Sequence, residues 1–92
     1  MIKIVEASMA YWLEGVVENL KDNFGVTADP INKSSHSYTL RKDGCTTLIA
    51  KVDSNGILKA YDPDGVLLYK RNVDNIDNFC HDLEIHFTRR TV

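Results

Sequence analysis

Three glycine-centred turn signatures, Asp43-Gly44, Ser54-Asn55-Gly56 and Pro63-Asp64-Gly65, punctuate the middle of this chain at strand-length intervals. A tight hairpin needs a residue with positive φ, and glycine takes that conformation without steric cost. The stretches between the glycines are rich in β-branched, aromatic and aliphatic residues. A chain built this way must run back and forth, which predicts an antiparallel meander with strands over 38–42, 45–53, 57–62 and 66–71. Asp43-Gly44 suits a two-residue type I′ loop. The other two suit three-residue loops, a type I turn closed by a left-handed glycine.

The flanks carry a different period. Met9, Leu13, Val16, Val17, Leu20 and Phe24 fall on one helical face, with Ser8 as N-cap and Gly25 as the residue that ends the helix. This predicts a helix over 8–24. Residues 2–6 read equally as a short strand or as the first turns of that helix. Residues 27–37, with Pro30, Asn32, Ser34 and Ser35, read as a loop. At the other end Ile76, Phe79, Cys80, Leu83 and Phe87 share helical spacing, with Asp74 as N-cap. The expectation is a helix over 74–84 and an extended basic tail, with a strand from 83 onward as the alternative. The fold class is therefore α+β: an N-terminal helix on a four-stranded antiparallel meander, with a short C-terminal helix, in one domain over 1–92.

Pairing each hairpin through its turn sorts the strand side chains into two faces. One collects Leu48, Ala50, Val52, Leu58, Ala60, Val66 and Leu68. Its central alanines let a helix approach closely, so the long helix is expected there. The other collects Tyr38, Leu40, Ile49, Lys51, Ile57, Lys59, Tyr61, Leu67 and Tyr69. If only partly covered, this tyrosine- and lysine-bearing face is a binding surface. If the C-terminal helix covers it, the tyrosines are ordinary core.

A 92-residue chain has a modest core, which disfavours an enclosed active-site cavity. Hydrophobic residues at 43% and charged residues at 26% are ordinary for a folded globular protein and argue against disorder. The net charge of −2 lacks the basic signature of a nucleic-acid binder. The charge is layered along the chain: acidic over 1–30, basic over 31–60 and acidic again over 61–92. Cys45 and Cys80 make no disulfide framework, and no secretory leader or membrane-length apolar run is seen. The expectation is a soluble, cytoplasmic protein.

Candidate chemistry is sparse. His36, His81, His86, Cys45 and Cys80 are the only transition-metal ligands, and none of the metal-site spacings is present. Asp53-Ser-Asn-Gly and Asp62-Pro-Asp-Gly lack a calcium loop's ligand set and are better explained as hairpin turns. His36 among Ser34, Ser35 and Ser37 has no acid to orient it for nucleophilic work. The reading is no enzyme, no cofactor and no metal. One charge pattern stands out: Glu14, Glu18 and Asp22 recur at i, i+4 and i+8, an acidic line on the helix face opposite the core. It is either a solvated face or a partner-facing row of carboxylates.

Two binding hypotheses follow. In the first, the chain is a non-catalytic protein-binding inhibitor or adaptor, its partner-binding residues Glu14, Glu18, Asp22, Tyr38, Lys51, Lys59, Tyr61 and Tyr69. In the second, Tyr38, Tyr61 and Tyr69 stack nucleic-acid bases while Arg41, Lys42, Lys51 and Lys59 contact phosphate. A small-ligand or minor enzymatic module is a third class, with no residues to carry it.

In size, layout and charge style the whole chain resembles the small phage-encoded anti-CRISPR inhibitors. That group shares no diagnostic motif, so the resemblance carries no functional residue. It implies a non-enzymatic inhibitor occupying a nucleic-acid-binding or partner surface of a CRISPR–Cas effector, a ribonucleoprotein complex, in the host cytoplasm. The mild −2 charge departs from the strongly acidic members thought to mimic DNA, and points instead to a mixed polar and aromatic interface. Small acidic toxin-immunity proteins fit the same pattern.

Overall fold

The computed structural model describes residues 2–31 and 36–89, with side chains from residue 12 onward. Its elements run α1 (Ile2–Phe24), β1 (Thr27–Pro30), β2 (Ser37–Arg41), β3 (Leu48–Val52), β4 (Ile57–Tyr61), β5 (Leu67–Asn72), a short 3₁₀ turn (Val73–Asn75) and α2 (Ile76–Thr88). The five strands form one antiparallel sheet in chain order. The α+β class stands; the sheet has five strands rather than four.

The extra strand is β1, in a stretch expected to be loop. Its four residues include Asp29 and Pro30, which suppress strand propensity. They pair because β2 offers a free edge. Proline is tolerated there, at the end of an edge strand, where its missing N–H breaks no central ladder. The expected loop residues Asn32, Ser34 and Ser35 lie outside the described residues.

α1 begins at Ile2, so Ser8 is inside the helix rather than its N-cap. Its end is as expected: Gly25 takes φ +69°, and the Val26 N–H turns back to the Leu20 carbonyl at 3.2 Å. α2 starts at Ile76, after the 3₁₀ turn containing Asp74, and runs to Thr88. Phe87 completes its buried stripe with Phe79 and Leu83, which extends the helix past 84 and removes the strand alternative.

The last two hairpin turns form as read. In each, the first aspartate closes the loop: the Gly56 N–H bonds the Asp53 carbonyl and the Gly65 N–H that of Asp62, at 3.1 and 3.0 Å. The aspartate Oδ1 accepts two further backbone N–H groups, from Asn55 and Ile57 in one loop and from Asp64 and Val66 in the other. The first of these loops sets β3 against β4 in the expected register, Val52 opposite Leu58 and Ala50 opposite Ala60.

Two registers differ from expectation. β2 pairs Leu40 with Leu48 and Tyr38 with Ala50, one residue away from a two-residue loop at Asp43-Gly44. Residues 42–47 are held by α2 instead of extending the ladder. On β5 the ladder starts as expected, Tyr61 opposite Leu67, but a bulge shifts it so that Tyr69 faces Ala60. A one-residue shift carries every later side chain to the other face. Leu40 is therefore core, Tyr38 and Tyr69 lie on the covered face, and Leu68 is exposed, as is Val66 in the turn before β5.

Both helices lie on one face of the sheet. Leu40, Leu48, Ala50, Val52, Leu58 and Ala60 meet Leu13, Val16, Val17 and Leu20 of α1 and Phe79, Leu83 and Phe87 of α2 in a single core. The central alanines are fully buried, as close helix approach requires. Burial of these apolar side chains is the main stabilising term, at roughly 25 cal/mol per Å² removed from water. No described helix is long and apolar enough to cross a membrane.

Candidate functional site

The sheet face turned away from the helices carries no buried residue among those described. The strand registers arrange it in rows across the strands. One row is Thr39, Ile49, Tyr61 and Leu67. The next, two residues along β2, β3 and β4 and three along β5 because of the bulge, is Ser37, Lys51, Lys59 and Lys70. Arg41 and Asp29 lie toward the opposite end and pair at 3.4 Å.

Lys51, Lys59 and Lys70 stand directly opposite one another on three adjacent strands. Neighbouring strands are only ~4.8 Å apart, and like charges facing each other there destabilise a sheet. The fold relieves the row in part. Lys59 reaches Asp53 at 3.4 Å, and Lys51 sits 5.1 Å above the Tyr61 ring. Asp53 is held below the usual carboxylate range: burial pushes it up, but the Ile57 and Asn55 N–H groups and Lys59 outweigh that. Lys70 is exposed on the edge strand. The apolar row reaches the same edge, where Leu67 and Leu68 are each 42% exposed and Val66 55%.

Two of the eight partner-binding candidates, Tyr38 and Tyr69, are thus moved to the covered face by the fold. Lys51, Lys59 and Tyr61 come together on the open face. Tyr38 is separated from them. It lies on the covered face near α1, where burial, then Glu14 and Glu18, raise its hydroxyl pKa. Tyr69 is also on the covered face, its pKa raised by burial and then by Asp82. Its hydroxyl lies 2.9 Å from His86 Nδ1, and His86 Nε2 lies 2.8 Å from the Thr46 carbonyl. A carbonyl only accepts, so Nε2 carries a proton and donates to it, while Nδ1 and the Tyr69 hydroxyl share the second hydrogen bond. Glu14, Glu18 and Asp22 are exposed on α1, on the helical side of the molecule. Lys70 and Ile49 complete the open face. The alternation in strand 45–53 already placed Ile49 there, whereas Lys70 needed the bulge.

Several other polar side chains hold the fold together. Cys80 donates to Glu84 at 3.6 Å, and Asn19 donates to both, at 3.3 and 2.8 Å. Burial and the Glu84 carboxylate push the Cys80 thiol up to about 11, which keeps it protonated and poorly nucleophilic at neutral pH. Cys45 and Cys80 are free thiols. Among the described residues no cluster of three His, Cys, Asp or Glu side chains could hold a metal ion. A wide hollow of about 610 Å³ beside Gly25, Thr27 and Thr47 is lined by Arg41 and Lys42, which are already bonded to Asp29 and to the Phe87 carbonyl.

Taken together these features define a two-layer α+β protein with an open, mixed basic and apolar sheet face. The chain matches no family model, no curated protein and no solved structure.

Proposed function

We propose that the protein acts by binding rather than by catalysis, as an inhibitor that covers an acidic surface of a protein partner with its open sheet face. The observation that carries the reading is the cross-strand row Lys51–Lys59–Lys70 beside the row Ile49–Tyr61–Leu67. Opposed lysines weaken the isolated sheet, so a fold selected for stability alone has no use for them. A partner carboxylate set between them turns that cost into attraction, while the apolar row supplies contact area and a tyrosine anchor. The resemblance to anti-CRISPR inhibitors directs the proposal toward a nucleoprotein effector in the cytoplasm, engaged at a protein surface so that its nucleic acid or partner is blocked.

Direct capture of a single-stranded nucleic acid on the same face is the second reading. The lysine row favours it, since phosphates could follow the lysines while a base stacks on Tyr61. The removal of Tyr38 and Tyr69 to the covered face leaves one ring where three were expected, which is why a protein partner is preferred.

The test is affinity capture from host lysate, with and without nuclease, using the native chain and Lys51→Glu/Lys59→Glu. The reading expects a protein retained through nuclease treatment by the native chain and lost with the double variant, whose fold is verified by circular dichroism. Partners that vanish with nuclease shift the assignment to nucleic acid. Equal retention by the double variant removes the face from the interface.

A further inference from the structure

β5 is an edge of the sheet, and no described strand pairs with its outer side. The Val73 N–H bonds the Gly56 carbonyl at 2.9 Å, and bonded and unbonded pairs alternate along an antiparallel ladder from there. Asn72 and Lys70 fall on unbonded pairs, opposite Ile57 and Lys59. Ile57 agrees with this phase, since its carbonyl accepts from the Asp53 N–H on the side of β3. The N–H and C=O of Asn72 and Lys70 therefore point outward, and both residues are exposed.

The opposite edge is blunted and this one is not. β1 has four residues, ends on Pro30 and ties Asp29 to Arg41. β5 has six residues and no proline. Val66, Leu67 and Leu68 lie exposed along the same margin. An unpaired, partly apolar edge is a template for a further strand, with backbone bonds giving affinity and side-chain pairs giving specificity.

The lysine row gives the sign of that strand. Lys51, Lys59 and Lys70 stand opposite one another, and the next position in line falls on the strand that would pair with β5. Lys59 is bonded to Asp53 and Lys51 lies over the Tyr61 ring, but Lys70 has no partner among the described residues. A carboxylate directly opposite it, ~4.8 Å away across a new ladder, relieves the row at its end. A second copy of β5 does the reverse: it adds another Lys70 and Arg71 to a junction where the strand has no acid of its own. Asp64 and Asp74 flank the strand in turns, outside the ladder.

We propose that β5 takes an extended acidic segment of the partner protein as a sixth strand, with a glutamate or aspartate opposite Lys70 and an apolar residue against Leu67 and Leu68. This rests on the open face being the partner-binding face, and names what the partner presents at its margin.

Asn72 has φ −70°, the angle proline requires, so Asn72→Pro deletes an outward N–H without disturbing the ladder to β4. The experiment titrates the full chain into a fluorescein-labelled β-prone peptide, valine and threonine in one half and glutamate and threonine in the other, and into its lysine counterpart. Anisotropy reads binding, and amide exchange of Lys70 and Asn72 is followed with and without saturating peptide. The acidic peptide alone should bind, less tightly in salt, and should protect both amides. Asn72→Pro should weaken binding about fivefold, the share of one backbone hydrogen bond, and Lys70→Glu about tenfold. No binding, equal binding of the lysine peptide, unprotected amides or an unaffected Asn72→Pro variant overturns the proposal. So does self-association that Asn72→Pro abolishes, in favour of a second copy as occupant. In lysate capture, Asn72→Pro should lower partner retention as Lys51→Glu/Lys59→Glu does. Loss with the lysine variant alone overturns strand addition and leaves the open face standing, whereas full retention by both removes the face as well.

Discussion

At Tyr69 a residue read as a binding-face aromatic is instead a structural one. Its hydroxyl is bound to His86, and the two rings meet edge-on with centroids 5.6 Å apart. Tyr69→Phe removes one hydrogen bond and little volume. It should lower unfolding free energy by about 1 kcal/mol, read from urea denaturation, and leave partner capture intact. Cys80 makes a pH-dependent prediction. Its folded-state pKa of about 11 lies above the unfolded value of 9.0, so above pH 9 the unfolded chain has lost a proton that the folded chain keeps. Stability should therefore be complete below pH 9 and fall as pH rises toward 11. Tyr38 and Tyr69, both raised, add to the fall above their ordinary value near 10. Thermal melts of Cys80→Ala should lack the part of the slope between pH 9 and 10; an unchanged slope would show that Cys80 does not cause it. That Cys80 belongs to the inner stripe of its helix was legible from its spacing with Ile76 and Phe79. That it meets Asn19 and Glu84 was not, because sixty-odd residues of chain separate Asn19 from Cys80 and no local pattern records the encounter.

Among the elements, the β2–β3 connection and the end of α2 depend on each other. Lys42 Nζ donates to the Phe87 carbonyl at 2.8 Å, and the Cys45 thiol lies 3.7 Å from that oxygen and 3.4 Å from the Arg89 carbonyl. A cation at a helix C-terminus satisfies an orphan carbonyl and offsets the negative end of the dipole. Lys42→Ala should cost about 0.5–1 kcal/mol. It should also raise amide exchange in residues 85–89 more than in β3 or β4. Uniform exchange across these segments would mean the contact is incidental. The Ser54-Asn55-Gly56 hairpin and its register were legible because turn chemistry and strand alternation are local and agree. The register of β2 was not, since the competing partner is a helix more than forty residues away. β1 was hidden for a related reason: its pairing energy comes from the edge of β2, not from its own composition.

In the whole molecule, charge is unevenly divided between the layers, with Asp29 and Asp53 beside the sheet lysines and arginine and Lys21 on α1 as exceptions. Glu14, Glu18, Asp22 and Asp77 are on the helical side, while Arg41, Lys51, Lys59 and Lys70 are on the open sheet. The −2 net charge conceals this separation. Capture through the sheet face should weaken steeply between low and physiological salt, because its lysines act on a partner's charge across a screened surface. A pull-down series in rising salt reads this, and salt-independent capture would assign affinity to the apolar row alone. The amino-acid sequence by itself determined the α+β class, both helices, the chain's meander and the β3–β4 register. These follow from helical and strand periods and from glycines at turns, all of which act over a few residues. The tertiary structure alone decided which face is open, which tyrosines it carries and where β5 bulges. Those outcomes turn on single-residue register shifts, and a shift of one residue is set by what distant elements press against the strand.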